Sequence, residues 1–255
     1  MAPLFAMGQS SERSFRINLA SSMDEANKLN EQPRQTFTDT ADWATLYRIA
    51  AWCCLVVVGF IIVQIAVFFT SPPPATVIGW YDLFHGNWLV GLLDMDLLLT
   101  VDYVLLAVVY LALYVALRRA SRSLMAIAIV LAFLSMAAYF ASTTAFNMLS
   151  LSNQYWAGAT EIERTQLLAA GQATMAIWTG TAFDVSYVLD AVAILLISIA
   201  MLRSDVFSRW TGYAGLAMAV TMSVPPTAGT FGIVLSLLSL APTVVWLALI
   251  AQRAA

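Results

Sequence analysis

The chain has 255 residues, of which 61% are hydrophobic and 11% charged, with a formal net charge of -3 and a mean hydropathy of +0.80. Soluble domains carry roughly 45 to 50% apolar and about 25% charged residues, so so much apolar sequence belongs in lipid. Twelve Lys and Arg, thinly spread, exclude a basic face for nucleic acid. The sequence predicts an all-α polytopic membrane protein whose first partner is the bilayer.

Residues 1 to 45 are polar, with Glu12, Arg13, Asp24, Glu25, Lys28, Glu31 and Arg34 ahead of any long apolar run. A cleavable signal peptide carries its apolar stretch directly after the first few residues, and that pattern does not fit here. The apolar positions Phe15, Ile17, Leu19 and Met23 alternate as much as they follow a helical period, so a mobile cytoplasmic tail is expected.

A hydrocarbon core of about 30 Å needs about 20 helical residues. The runs that qualify are 46–70, 92–117, 123–149, 180–202, 209–224 and 230–251, which predicts six transmembrane helices in a membrane domain over 46–252. Pro72, Pro73 and Pro74 stop the first, because proline lacks an amide donor and holds the chain extended. Pro225 and Pro226 turn the last two runs into a hairpin. The segment 161–178 begins with Glu161, Glu163 and Arg164 and ends at Trp178, a pattern for an interfacial helix rather than a span. Arg48, Arg118, Arg119, Arg122, Arg203, Arg209 and Arg253 fall on one side of this arrangement, and only Arg164 falls on the other. Lys and Arg mark the cytoplasmic side of short loops, so both termini are expected in the cytoplasm.

Apart from Arg48 and Arg209 at run ends, the charged residues inside the runs are all acidic: Asp94, Asp96 and Asp102 in the second, Asp184 and Asp190 in the fourth. An ionisable group in the bilayer costs about 2.5 to 3.5 kcal/mol on insertion scales and calls for a partner, a cavity or a function. Asp102 and Asp190 each fall roughly 15 Å below the outer side at 1.5 Å per residue. Ser142, Thr143, Thr144 and Asn147 in the third run share that outer half. Asp184, Tyr187 and Asp190 step by three residues and spread over about 120° of one helix face. An outward-facing acidic pocket follows, with Thr143, Thr144 and Asn147 in its lining. No Lys or Arg lies in the interior of a run to neutralise it, so its carboxylates must be hydrated, protonated or balanced by a cation. The plainer alternative keeps Asp94 and Asp96 at the headgroup boundary and has Asp102 and Asp190 hydrogen-bond to Tyr103, Tyr187 or Thr side chains between helices.

His85 is the one histidine. With Asp82, Asp94 and Asp96 it forms a sparse metal candidate, against which stands a solvated loop histidine. A single histidine excludes bis-histidine haem and an HExxH zinc site. No P-loop, GxSxG elbow or CxxC pair occurs, so no cofactor is identified. Cys53 and Cys54 are adjacent in the first run and read as packing residues. The stretch from Val101 to Val108 echoes that from Val185 to Val192 at an offset of 84 residues, a parallel-repeat pattern that so biased a composition also produces by chance.

The features Pro72-Pro73-Pro74, the run from Gly91 to Leu98, Gly180-Thr181-Ala182-Phe183, Ser198 with Met201-Leu202-Arg203-Ser204 and Phe207, and Trp246 together resemble an uncharacterised bacterial family of six-helix integral membrane proteins, over Leu46 to Gln252. The resemblance implies six spans and a bacterial origin, and it carries no activity, cofactor or catalytic residue; the expected location is a bacterial inner membrane. The expected function is proton- or cation-linked transport or sensing through the acidic pocket. A non-catalytic accessory subunit of a larger membrane complex is the alternative. An intramembrane metal-dependent enzyme built on His85 and the outer acids comes third.

Overall fold

The computed structural model describes residues 39–254, and these are helical with no strand among them. The chain divides into two units, Met1–Ala44 and Thr45–Ala255, and the description that follows is of the second. The expected mobile tail lies, up to residue 38, outside the described residues.

Among the described residues ten α-helices follow in order: α1 Asp39–Thr70, α2 Val77–Gly86, α3 Trp88–Met95, α4 Leu97–Leu117, α5 Arg122–Ser142, α6 Ala145–Trp156, α7 Glu161–Trp178, α8 Thr181–Leu202, α9 Arg209–Thr221 and α10 Thr230–Ala254. Five stretches among the described residues are long and apolar enough to cross a membrane: Trp43–Thr70, Leu97–Leu117, Arg122–Trp156, Glu161–Leu202 and Thr230–Arg253. The architecture is therefore that of a multi-pass membrane protein. The expected fifth span differs. Helix α9 has 13 residues and reaches only about 20 Å at 1.5 Å per residue. The turn from Met222 through Pro225 and Pro226 follows it and brings Thr227 to the carboxylate of Asp184 near the start of α8.

A first core gathers α1, α4, α5, α8, α9 and α10 around Cys54, Leu113, Met125, Ile194, Met201 and Trp246. Helices α5 and α8 pack most intimately. Ala128 and Ala132 of α5 and Ala193 and Ala200 of α8 are fully buried, and small side chains let helix backbones approach where lipid supplies no hydrophobic drive. Gly215 does the same on α9, where a β-carbon would strike the Ser198 hydroxyl and the Trp246 indole nitrogen. Helix α1 is peripheral: Ala50, Cys53, Cys54 and Val57 are buried, but Ile62 and Phe69 are 63% and 85% exposed, as a lipid-facing surface requires. Its Tyr47 lies within electrostatic reach of Arg118 and Arg119. At the far end of the chain, Arg253 Nε donates to the Val206 carbonyl at 2.9 Å. With α5 and α8 antiparallel, the basic loops after α4 and α8 share one end of the bundle.

The other end carries a helical cap, made of the segments expected as outer loop and interfacial helix together with the outer ends of the expected second and third spans. Helices α2, α3, α6 and α7 enclose a second core of Trp80, Tyr81, Phe84, Leu92, Ala145 and Met148. Tyr81 is clasped from both sides: its hydroxyl donates to the Leu167 carbonyl at 2.7 Å, and its carbonyl accepts from Ser152 Oγ at 2.8 Å. Gly171 lets α7 meet α2 at this contact, since a β-carbon there would run into Val77 and the Tyr81 hydroxyl. A capping box of Thr160 and Glu163 starts α7. The segment 161–178, expected at the interface, forms a helix packed into this cap. The 42-residue stretch Glu161–Leu202 is thus two helices, α7 in the cap and α8, whose 22 residues reach about 33 Å, the thickness of a hydrocarbon core.

Cap and bundle are joined by three helix breaks: Asp96 between α3 and α4, Thr143 and Thr144 between α5 and α6, and Thr179 and Gly180 between α7 and α8.

Candidate functional site

The three breaks meet at Asp96. Its carboxylate Oδ2 accepts from the amides of Thr144 at 2.5 Å and Ala145 at 2.8 Å. Thr144 is the N-cap of α6 yet makes no side-chain capping bond of its own, so a carboxylate from a different helix satisfies the orphan donors and complements the helix dipole. The Trp178 indole, last residue of α7, lies beside the same carboxylate. Asp96 is 3% exposed; burial pushes its carboxyl above the usual range, and the two amides pull the other way. Asp94, at the end of α3, is 1% exposed and neither of its oxygens has a hydrogen-bond partner. Burial pushes it from 3.8 to about 6.

Below this junction a column of acids and tyrosines runs into the bundle. The Tyr139 hydroxyl of α5 approaches the Asp96 carbonyl at 3.5 Å and lies within electrostatic reach of Asp102, which is itself 7% exposed. The Tyr139 ring stacks on Tyr103 of α4 with centroids 4.3 Å apart. Tyr103 lies against Ser135 of α5 and against Ser186 and Asp190 of α8. Ser135 Oγ donates to the Ser186 carbonyl at 2.8 Å, tying α5 to α8 at that level. Asp190, 3% exposed, accepts from the Tyr110 hydroxyl of α4 at 2.8 Å. It stands about 14 Å along α8 from Thr181.

The remaining site candidates sit elsewhere. Asp184 takes the Thr227 hydroxyl, and the Tyr187 hydroxyl donates to Ser236 Oγ of α10 at 3.1 Å, so this pair turns toward α10 and the turn before it. Tyr187 remains within electrostatic reach of Asp190, which itself turns to α4. Thr144 is buried at the junction. The Thr143 hydroxyl folds back on the Phe140 carbonyl at 2.9 Å, and Asn147 lies exposed on α6. Of the acids expected to line an outward-facing pocket, Asp94, Asp96, Asp102 and Asp190 are buried. A shallow groove does exist on α6, lined by Phe146, Leu149, Ser150, Asn153, Gln154 and Ala157, apart from these acids. His85 stacks on Trp156 with ring centroids 5.1 Å apart, and Asp82 is exposed. Among the described residues no three His, Cys, Asp or Glu side chains gather as a metal site needs.

Tyr110, Tyr139 and Ser135 escaped the sequence reading. Tyr103 and Tyr110 are seven residues apart, which puts them on one face of α4, and Ser135 and Tyr139 are four apart on α5. That periodicity was the available signal. The column offers hydroxyl and carboxyl groups that each accept and donate protons, in an interior with no Lys or Arg from residue 49 to 117 or from 123 to 163. No protein family, curated protein or solved structure matches the chain.

Proposed function

We propose that this chain is a six-pass protein of a bacterial inner membrane, with both termini cytoplasmic, whose carboxylate and tyrosine column serves proton-linked transport or sensing. The observation that carries the reading is Asp190, buried among three helices with the Tyr110 hydroxyl as its donor and no basic side chain in the same spans. Intramembrane carboxylates without a countercharge mark ion and proton paths, because only a task that uses their titration repays the cost of inserting them. Hydroxyls of Tyr139, Tyr103 and Tyr110 lie along the way between Asp96 and Asp190 and relay protons without carrying charge. The clustering of Arg at the end away from the cap supports a cap that faces outward.

The test is proton flux in liposomes that hold the purified chain and a trapped pH-sensitive dye, driven by a potassium diffusion potential. Wild type is expected to acidify the lumen, and Asp190→Asn to fall to the rate of protein-free vesicles. Wild-type flux equal to that of empty vesicles would remove the reading and leave the accessory subunit.

A further inference from the structure

At the junction of the three helix breaks, the amides of Thr144 and Ala145 and the Trp178 indole stand at the Asp96 carboxylate, yet particular oxygens there meet no donor in hydrogen-bond geometry. Where α5 ends, the freed carbonyls of Tyr139 and Phe140 are taken by Ser142 Oγ at 2.7 Å and Thr143 Oγ1 at 2.9 Å. Other oxygens there stay unmatched. Asp96 Oδ1 and Thr144 Oγ1 are buried without a hydrogen-bond partner, although the two residues are locked together through the Thr144 amide and Asp96 Oδ2. Both Asp94 oxygens, two residues earlier, and Asp102 Oδ1, below, are buried and unpartnered as well. A buried oxygen without a donor calls for water or positive charge, and the chain supplies no Lys or Arg to α3, α4 or α6.

We infer that this junction is a binding site for a monovalent alkali cation, with Asp96 Oδ1 and Thr144 Oγ1 as protein ligands. The class follows from the donor set. Carboxylate and hydroxyl oxygens are hard ligands that suit alkali and alkaline-earth ions rather than soft metals. A divalent ion draws several carboxylates onto one point, whereas here no three acidic, His or Cys side chains converge among the described residues. One carboxylate with a neutral hydroxyl balances one positive charge. Breaks in membrane helices are also where backbone and side-chain oxygens become free to coordinate a coupling ion. Asp96 then has two tasks, with Oδ2 holding the N-terminus of α6 and Oδ1 holding the ion, so an ion bound there ties the cap to the bundle. This deepens the transport reading by naming the ion class, but it is read by binding rather than by flux, and either can fail alone.

The experiment is thermal unfolding of the purified full chain in detergent, at constant ionic strength, in chlorides of sodium, potassium, lithium or N-methylglucamine. One alkali ion is expected to raise Tm saturably, by about 5 °C at a hundredfold excess over Kd. Thr144→Val, which removes only the hydroxyl, is expected to lose that response while unfolding near the wild-type temperature in N-methylglucamine. Thr144→Ser, which keeps the hydroxyl, is expected to retain it. Equal Tm in all four salts would overturn the site and leave buried water as the partner of these oxygens. An undiminished response in Thr144→Val would overturn the ligand assignment. Should Thr144→Val not fold, loss of the response in Thr144→Ser would overturn it equally.

Discussion

The carboxylate of Asp96 caps the helix that begins at Thr144, 48 residues away in sequence. Two amide donors of α6 depend on it, and three pairs of consecutive helices hinge around it. Removing it leaves both donors buried. Asp96→Ala is expected to cost about 1 to 3 kcal/mol, and Asp96→Asn less, because an amide oxygen still accepts one of the bonds. Chemical or thermal unfolding in detergent measures both. A cap that loosens before the bundle, seen as early solvent exposure of Trp80 and Trp178, is the expected course, since these residues pack edge to face at 5.6 Å directly over the junction.

Asp94 gives the cap a pH dependence with a definite sign. Its carboxyl is raised from 3.8 to about 6 by burial, so the folded chain holds a proton that the unfolded chain has released. Stability from this group is full below about pH 4, falls as pH rises, and levels off above about pH 6. Asp94→Asn stays neutral throughout. The measurement is Tm from pH 4 to 7.5 for both proteins: the mutant profile should be flatter, and the mutant should unfold at the higher temperature at pH 7.5. Parallel profiles would mean that Asp94 is solvated in the folded chain.

The glycines of the cap and of α1 make a matched pair. At Gly171 a β-carbon would come within 2.5 Å of the Tyr81 hydroxyl, while at Gly59 nothing lies within 4 Å. Gly171→Ala is therefore expected to lose about 1 to 3 kcal/mol through overpacking. Gly59→Ala is expected to be neutral or to gain up to about 1 kcal/mol through helix propensity. The same unfolding measurement compares the two, and equal effects would mean that α7 does not dock on α2 at Tyr81.

Much of the architecture is legible in the sequence because lipid imposes a length and an apolar composition on each span, and Leu97–Leu117 and Thr230–Arg253 meet both. The cap is not legible in the same way. Helices α2 and α3 have 10 and 8 residues, too few to reveal a period, and their breaks rest on contacts such as Asp96 with Thr144 that no local pattern announces. Run length also misleads at the other helix ends. The stretch 123–149 reads as one helix, yet it changes direction at Thr143, where the backbone is extended. The acids were visible as costly residues, but their partners were not. Asp190 points to Tyr110 rather than to Asp184, although Asp184 shares its helix.

Orientation is open to direct labelling. With Cys53 and Cys54 replaced by alanine, single-cysteine variants His85→Cys and Thr227→Cys are expected to react with an impermeant maleimide from outside intact cells. Ala120→Cys and Val206→Cys should react only after permeabilisation. All four positions are exposed in the structure, so a missing reaction reports the membrane and not burial. External labelling at residue 120 would invert the arrangement and turn the cap to the cytoplasm.

The pair that carries the functional reading can be dissected by a double-mutant cycle. The Tyr110 hydroxyl donates to Asp190 at 2.8 Å in a fully enclosed setting. Tyr110→Phe deletes the donor and leaves the carboxylate alone, at a cost of about 1 to 3 kcal/mol. Asp190→Asn keeps an acceptor for that hydroxyl and should cost less. The double variant leaves a neutral amide where Tyr110→Phe alone leaves an unpartnered carboxyl, so it should lose less than the sum of the singles, by about 0.5 to 3 kcal/mol. Stability alone cannot separate a structural bond from a working one, so the same variants are compared in the liposome assay. If Asp190 passes protons by way of Tyr110, Tyr110→Phe slows the flux and moves its pH profile, whereas Asp190→Asn abolishes the flux at every pH. If the pair only holds α4 to α8, flux in Tyr110→Phe follows the amount of folded protein and its pH profile stays where the wild type has it.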